Sequence, residues 1–146
     1  MVNQRPLMGT AVLEDPWETV PVERDEAQDD PQAIRLVCCL IRPERLEVVR
    51  DAVDALHVAG GMTVTDVRGF GRQKGQVEHY RGGEYTIRFL PKVKIEWVVR
   101  AEHVPEVLGA VRKAAGTGQI GDGKAFVLDV VNAVRIRTGE RGGGAL

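Results

Sequence analysis

The sequence predicts an α+β fold: a ferredoxin-like βαββαβ chain with an antiparallel sheet and both helices on one side. Three observations predict it. From residue 34 to residue 131, apolar residues recur at strand spacing in four places and at helical spacing in two, in the order strand, helix, strand, strand, helix, strand. Both helical segments run into glycines, at Gly60 and Gly61 and again from Gly116 onward. Between the second and third strands lies a long stretch that is too polar to pack, residues 69–88 (GFGRQKGQVEHYRGGEYTIR). Its five glycines make it costly to order, and Arg72, Lys74, Arg81 and Arg88 keep it in water. Connections longer than ~12–15 residues inside a compact domain are usually functional or disordered. This one is expected to be a mobile interaction loop rooted in a ligand site.

Each element has its own warrant. Residues 34–41 (IRLVCCLI) form an apolar run of strand length, stopped by Pro43, which suits a first helical turn. Leu46, Val49, Val53 and Leu56 then recur at three- and four-residue steps, with Glu44, Arg45, Arg50, Asp51 and Asp54 turned outward. Residues 62–70 (MTVTDVRGF) are rich in β-branched side chains and read as the second strand. Strand character resumes over 86–100, where Val93, Ile95, Trp97 and Val99 alternate with Lys92, Lys94, Glu96 and Val98; Pro91 marks a bend or an edge. Val104, Val107, Leu108, Val111 and Ala115 give the second helix, and residues 125–131 the fourth strand. Beyond it, Arg135 and Arg137 share a face if the backbone is extended.

A length of 146 residues suits one domain with a tail. The 43% apolar content is enough for a core, and 5% aromatic content makes that core aliphatic. Residues 1–33 read as an acidic, disordered tail, with eight acids against Arg5 and Arg24 and one sticky residue, Trp17. Residues 34–146, the domain proper, keep 13 acids and 18 bases, a cationic excess that favours anionic ligands. No apolar run approaches the ~20 residues of a membrane helix, and no secretory leader is recognisable. Cys38 and Cys39 are adjacent and so point to opposite faces of a strand, which is neither a disulfide framework nor metal spacing. A soluble cytoplasmic protein with no membrane insertion is expected.

Residues 118–124 (GQIGDGK) match G-x-x-x-x-G-K, but this is not a Walker motif. Ala125 stands where a hydroxyl must hold magnesium, and the order is helix–loop–strand. What survives is a glycine-rich backbone able to form an anion-binding concavity, with Lys124 as a point charge and Arg135 and Arg137 as forked donors. Catalysis finds no support. The chain has no serine, its three histidines (His57, His79, His103) are scattered, and no Cys/His cluster or positioned base for nucleotide hydrolysis is evident. An acylphosphatase-like arginine–asparagine cradle is missing, and the aromatics are unpaired, against the stacked pair of an RNA-binding sheet. The chain is expected to be neither an enzyme nor a nucleic-acid binder.

Five segments carry a more specific signal: GFGRQKG at 69–75, YRGGEY at 80–85, FLPKVKIE at 89–96, TGQIGDGK at 117–124 and VRIRTGE at 134–140. Together they closely resemble the P-II family of nitrogen signal-transduction proteins, over residues 34–146. The resemblance implies a homotrimer with nucleotide sites between subunits, where ATP and ADP compete and 2-oxoglutarate joins magnesium-ATP at the loop base. Carried onto matching positions, it implies nucleotide contacts from Thr63, Gly71, Arg72, Glu96, Val98, Gly121, Asp122, Gly123, Lys124, Arg135 and Arg137. It implies 2-oxoglutarate contacts from Gln73, Lys74, Gly75 and Lys92, with Gln73 as the magnesium ligand. Tyr85 matches the tyrosine modified by a nucleotidylyltransferase, and the loop would dock on targets such as an ammonium transporter or a metabolic enzyme. A divergent sensor of another metabolite is the alternative. Gly83 replaces the family's Ala or Ser, which excludes serine phosphorylation there; Arg42 and Gln119 replace lysines, and Arg88 replaces an acidic residue.

Overall fold

β1 (Ile34–Ile41) is the strand on which the sheet is assembled. A computed structural model of the chain describes residues 19, 30–71, 76–80, 83–87 and 89–146, with backbone alone for 76–80 and 83–87. β1 pairs antiparallel with β5 (Leu90–Arg100) on one side and β6 (Gly123–Asp129) on the other. β2 (Thr63–Gly69) lies outside β5, giving the order β2-β5-β1-β6 expected of a ferredoxin-like fold. Alternation sets the faces: Val37, Cys39 and Ile41 of β1 with Val93, Ile95, Trp97 and Val99 of β5 are buried under the helices.

Proline at the first turn leads through Pro43–Arg45 into α1 (Leu46–Asp54), which buries Val49 and Val53. α1 gives out at His57, whose φ of 56° lies in the left-handed region that histidine tolerates better than most residues. α2 (Val104–Ala115) buries Val104, Val107 and Val111 against the same sheet face. Arg45 is not an outward surface residue. Its Nε and Nη2 both donate to the carbonyl of Ala114, one of the orphan acceptors at the end of α2, and so tie the two helices together. The start of α2 is held by the residues preceding β1. The amides of Ala101 and Glu102 donate to the carbonyls of Ala33 (2.7 Å) and Pro31 (3.1 Å). His103 is likewise paired, with Nδ1 2.7 Å from Glu106.

The structure departs from expectation elsewhere too, and the strand expected over 86–100 begins only at Leu90. Residues 69–88 are not without regular structure: β3 (Gln76–Tyr80) pairs antiparallel with β4 (Gly83–Ile87) in a two-stranded sheet of their own. β6 begins and ends two residues earlier than expected, because Gly123 already pairs with Ile41. The segment carrying Arg135 and Arg137 is folded rather than extended: Val134 bridges Arg141, and turns close over 136–138. Pro91, by contrast, fits its expected edge position, since the β1 register stops at Val93 and leaves Pro91 with a neighbour on one side only. Both cysteines are free, and burial pushes the Cys39 thiol up to about 12. No helix among the described residues is long and apolar enough to cross a membrane.

Candidate functional site

The glycine loop between α2 and β6 is organised by one carboxylate. Asp122 accepts from the backbone amides of Thr117 (2.7 Å) and Gly118 (2.9 Å), from the Thr117 hydroxyl (2.5 Å) and from Arg42 Nε (3.3 Å). Four donors favour its charged form and hold its pKa down at about 2, the Thr117 hydroxyl foremost. Part of the anion-binding concavity expected from the sequence is thus filled by the loop's own side chain. Positive φ at Gly118 (82°), Gly121 (102°) and Gly123 (107°) lets the backbone close round it. Arg42 Nη2 also donates to the carbonyl of Ile120 (2.8 Å), and the Lys92 ammonium to that of Gly121 (2.5 Å). Burial lowers the pKa of Lys92, and the nearby Arg42 charge lowers it further. Lys124 stands exposed on the helix-free face of β6, in register with Leu40.

Because the folded-state pKa of Asp122 is depressed, its stabilisation is present above the ordinary carboxylate pKa of 3.8 and is lost as pH falls through about 2. The protein is expected to lose stability between pH 4 and pH 2 as this carboxylate takes up its proton. Asp122→Asn should flatten the acid limb of stability against pH in that window; an unchanged acid limb would contradict the bonding described.

A second cluster lies further along β5, across β1, β5 and β2. Thr63 on β2 pairs in register with Glu96 on β5, whose carboxylate is 3.4 Å from Lys94 Nζ. Thr63, Glu96 and Val98 line a cleft of about 500 Å³ with Leu36, Gly61 and Val134. The C-terminal segment closes one side, where Leu146 offers its carbonyl to Arg135 Nη2 (2.9 Å). Arg135 also pairs with Glu140, while Arg137 is exposed on the turn.

The structure therefore brings Lys92, Gly121, Asp122, Gly123 and Lys124 together near the start of β5, and Thr63, Glu96, Val98 and Arg135 together towards its other end. Gly71 is an exposed bend beside the loop root, where Phe70 and Phe89 pack with ring centroids 6.0 Å apart. Arg72, Gln73, Lys74 and Gly75 lie outside the described residues, as does the side chain of Tyr85, whose backbone pairs with Glu78 in the β3–β4 hairpin.

The model of the family described as nitrogen regulatory protein P-II matches residues 34–140, the whole α/β unit with both clusters. The chain belongs to the P-II family. Nitrogen regulatory protein GlnK of Escherichia coli (strain K12) is 50% identical to it over 113 residues, covering 77% of this chain and 100% of that protein. The nitrogen regulatory proteins P-II of Rhodospirillum rubrum and Azospirillum brasilense are each 53% identical over 109 residues, 73% of this chain and 95% of theirs. P-II membership carries a role in signal transduction for nitrogen regulation, not catalysis. Sequence reasoning missed Arg42 and Thr117 as site-forming residues of this P-II protein. The offset of five between Thr117 and Asp122 was a usable signal; the 80 residues separating Arg42 from Asp122 left none.

Proposed function

We propose that this P-II protein senses ATP and ADP, together with 2-oxoglutarate and magnesium, at sites completed between the subunits of a cytoplasmic homotrimer. It reports their balance by switching the loop 69–88 on or off target proteins. The observation that carries this reading is the division of the candidate nucleotide residues into two separate half-sites, the glycine loop beside Lys92 near the start of β5 and the cleft around Glu96 and Val98 towards its end. On the helix-free face of the sheet Phe126 is 47% and Leu128 48% exposed, an apolar area that a second copy would cover. A ring in which each copy sets its glycine loop against its neighbour's cleft brings the halves together.

In this assembly Gly121, Gly123, Lys124 and the neighbour's Arg135 and Arg137 face the phosphates, with Asp122 shaping the loop from within. Thr63, Glu96 and Val98 enclose the rest of the nucleotide, and Gly71 and Arg72 close it from the loop root. Magnesium is held chiefly by phosphate and dicarboxylate oxygens, with Gln73 as protein ligand. The 2-oxoglutarate meets Lys92 and the backbone of Lys74 and Gly75. A ligand shifts the loop only through unequal affinity for its two arrangements, and contacts at the loop root provide that inequality. The targets fit an ammonium transporter or a metabolic enzyme, with Tyr85 the residue that a nucleotidylyltransferase would modify.

Light scattering combined with calorimetry, using ATP, ADP and 2-oxoglutarate alone and together, tests the reading. A trimer is expected, with 2-oxoglutarate binding only when magnesium-ATP is present. Arg137→Ala and Lys124→Ala should each weaken ATP and ADP by roughly 1.5–3 kcal/mol, tenfold or more, without unfolding the chain. A stable monomer at micromolar concentration, or unchanged nucleotide affinity in both variants, would remove this assignment. Nucleotide binding with no response to 2-oxoglutarate would point to another metabolite.

A further inference from the structure

We infer that Thr117, Asp122 and Arg42 form a latch that positions Lys92 through the carbonyl of Gly121, so that the state of the glycine loop sets the affinity of the anion site at Lys92. The inference rests on the functional reading above and concerns how its two ligands communicate. Gly121 is fixed from both sides. The preceding carbonyl, of Ile120, is held by Arg42 Nη2, and the following side chain, of Asp122, is held by Thr117, Gly118 and Arg42. With φ at 102°, a conformation favouring glycine, residue 121 directs its carbonyl to the Lys92 ammonium. That ammonium has three N–H donors, so one bond to Gly121 leaves two for a carboxylate.

Lysine is among the side chains with the most rotamer freedom to lose. A loop that already holds Lys92 removes that loss from the binding of a dicarboxylate. A nucleotide that orders residues 117–122 therefore tightens the dicarboxylate through protein contacts, in addition to any bridge made by the metal. Thr117, Asp122 and Arg42 act here as positioning residues: on this account neither Thr117 nor Asp122 touches the second ligand.

The test titrates 2-oxoglutarate by calorimetry into protein saturated with magnesium-ATP, so that loop occupancy is equal in every variant. Thr117→Val removes the hydroxyl donor to Asp122 and is expected to weaken 2-oxoglutarate roughly five- to tenfold. Thr117→Ser keeps the hydroxyl and should restore it. Thr65→Val, at an exposed position across from Lys94 on the same sheet face, should leave it unchanged. If Thr117→Val does not fold, Asp122→Asn, which removes the charge while keeping the shape, serves in its place with the same expectation. Wild-type affinity in the latch variants, with Lys92→Ala still losing the ligand, overturns the latch alone. Failure of the wild-type protein to bind 2-oxoglutarate beside magnesium-ATP overturns the functional reading and the latch with it.

Discussion

Replacing Gly123 by alanine is expected to destabilise the protein by roughly 3 kcal/mol or more, the sum of a left-handed backbone penalty and a clash with main chain. Gly123 has φ of 107°, and a Cβ there would lie 1.7 Å from the carbonyl oxygen of Leu40 and 2.8 Å from its carbonyl carbon. Neither atom belongs to a flexible side chain. Leu40 is hydrogen-bonded sheet backbone paired with Lys124, next to the pair with which β6 begins, so relief requires β6 to leave the sheet at that first pair, Ile41 with Gly123. Gly118→Ala is the matched control, with φ of 82° but nothing within 4 Å of its added carbon. It should cost only the backbone term, about 1–2 kcal/mol. Urea unfolding of the two variants separates strain from collision, and equal midpoints would contradict the close approach. Because domains are stable by only about 5–15 kcal/mol, Gly123→Ala should also lose a large part of its soluble yield. A loss of nucleotide binding in that variant is therefore no measure of phosphate contact.

Lys92→Ala is expected to lower 2-oxoglutarate affinity about ten- to a hundredfold while ADP affinity stays near that of the wild type. The lysine is the half-buried cation nearest the loop root, and removing it leaves a carboxylate without a charged partner, worth roughly 1.5–3 kcal/mol. ADP reaches the glycine loop without that contact. The variant also deprives the Gly121 carbonyl of its charged donor, a loss of roughly 1.5–3 kcal/mol that should show in thermal unfolding rather than in ADP titration. Calorimetry with each ligand decides: equal losses for both would show that Lys92 only supports the loop.

Periodicity made the main sheet and both helices legible. Val49 and Val53, or Val93 through Val99, could face only one way once their spacing was recognised, and the buried sets match. The register of the β3–β4 pairing was not legible, because the glycines and charges of this stretch mark it only as solvated, whereas cross-strand pairing such as Val77 with Thr86 depends on register rather than hydrophobicity. The start of β6 was hidden because GDGK reads as a turn; only the neighbouring β1 backbone makes Gly123 a strand residue. At the site, the five motif segments marked where chemistry gathers. They said nothing of Arg42 reaching Asp122, or of Arg45 reaching Ala114, because a side chain's partner across the fold leaves no local pattern. Nor could the spacing of Arg135 and Arg137 reveal that Glu140 and the C-terminal segment bend the chain between them.

The strand order β2-β5-β1-β6 has a consequence for biosynthesis. β1 is made before either of its partners, and neither of them is the next strand in the chain. The earliest, Val93 opposite Ile41, is synthesised roughly fifty residues later, and β6 later still. At about 5–20 residues per second, the apolar run IRLVCCLI waits roughly 3–10 s outside the ribosome before any main-sheet hydrogen bond can form on it. During that interval the nascent chain presents an unpaired, nearly uncharged strand, the kind of segment that recruits another strand or a holdase chaperone. Eight acidic residues lie just N-terminal to it, among residues 1–33, and emerge before it. Their charge repels a second nascent chain on the same message at the moment when β1 is most exposed.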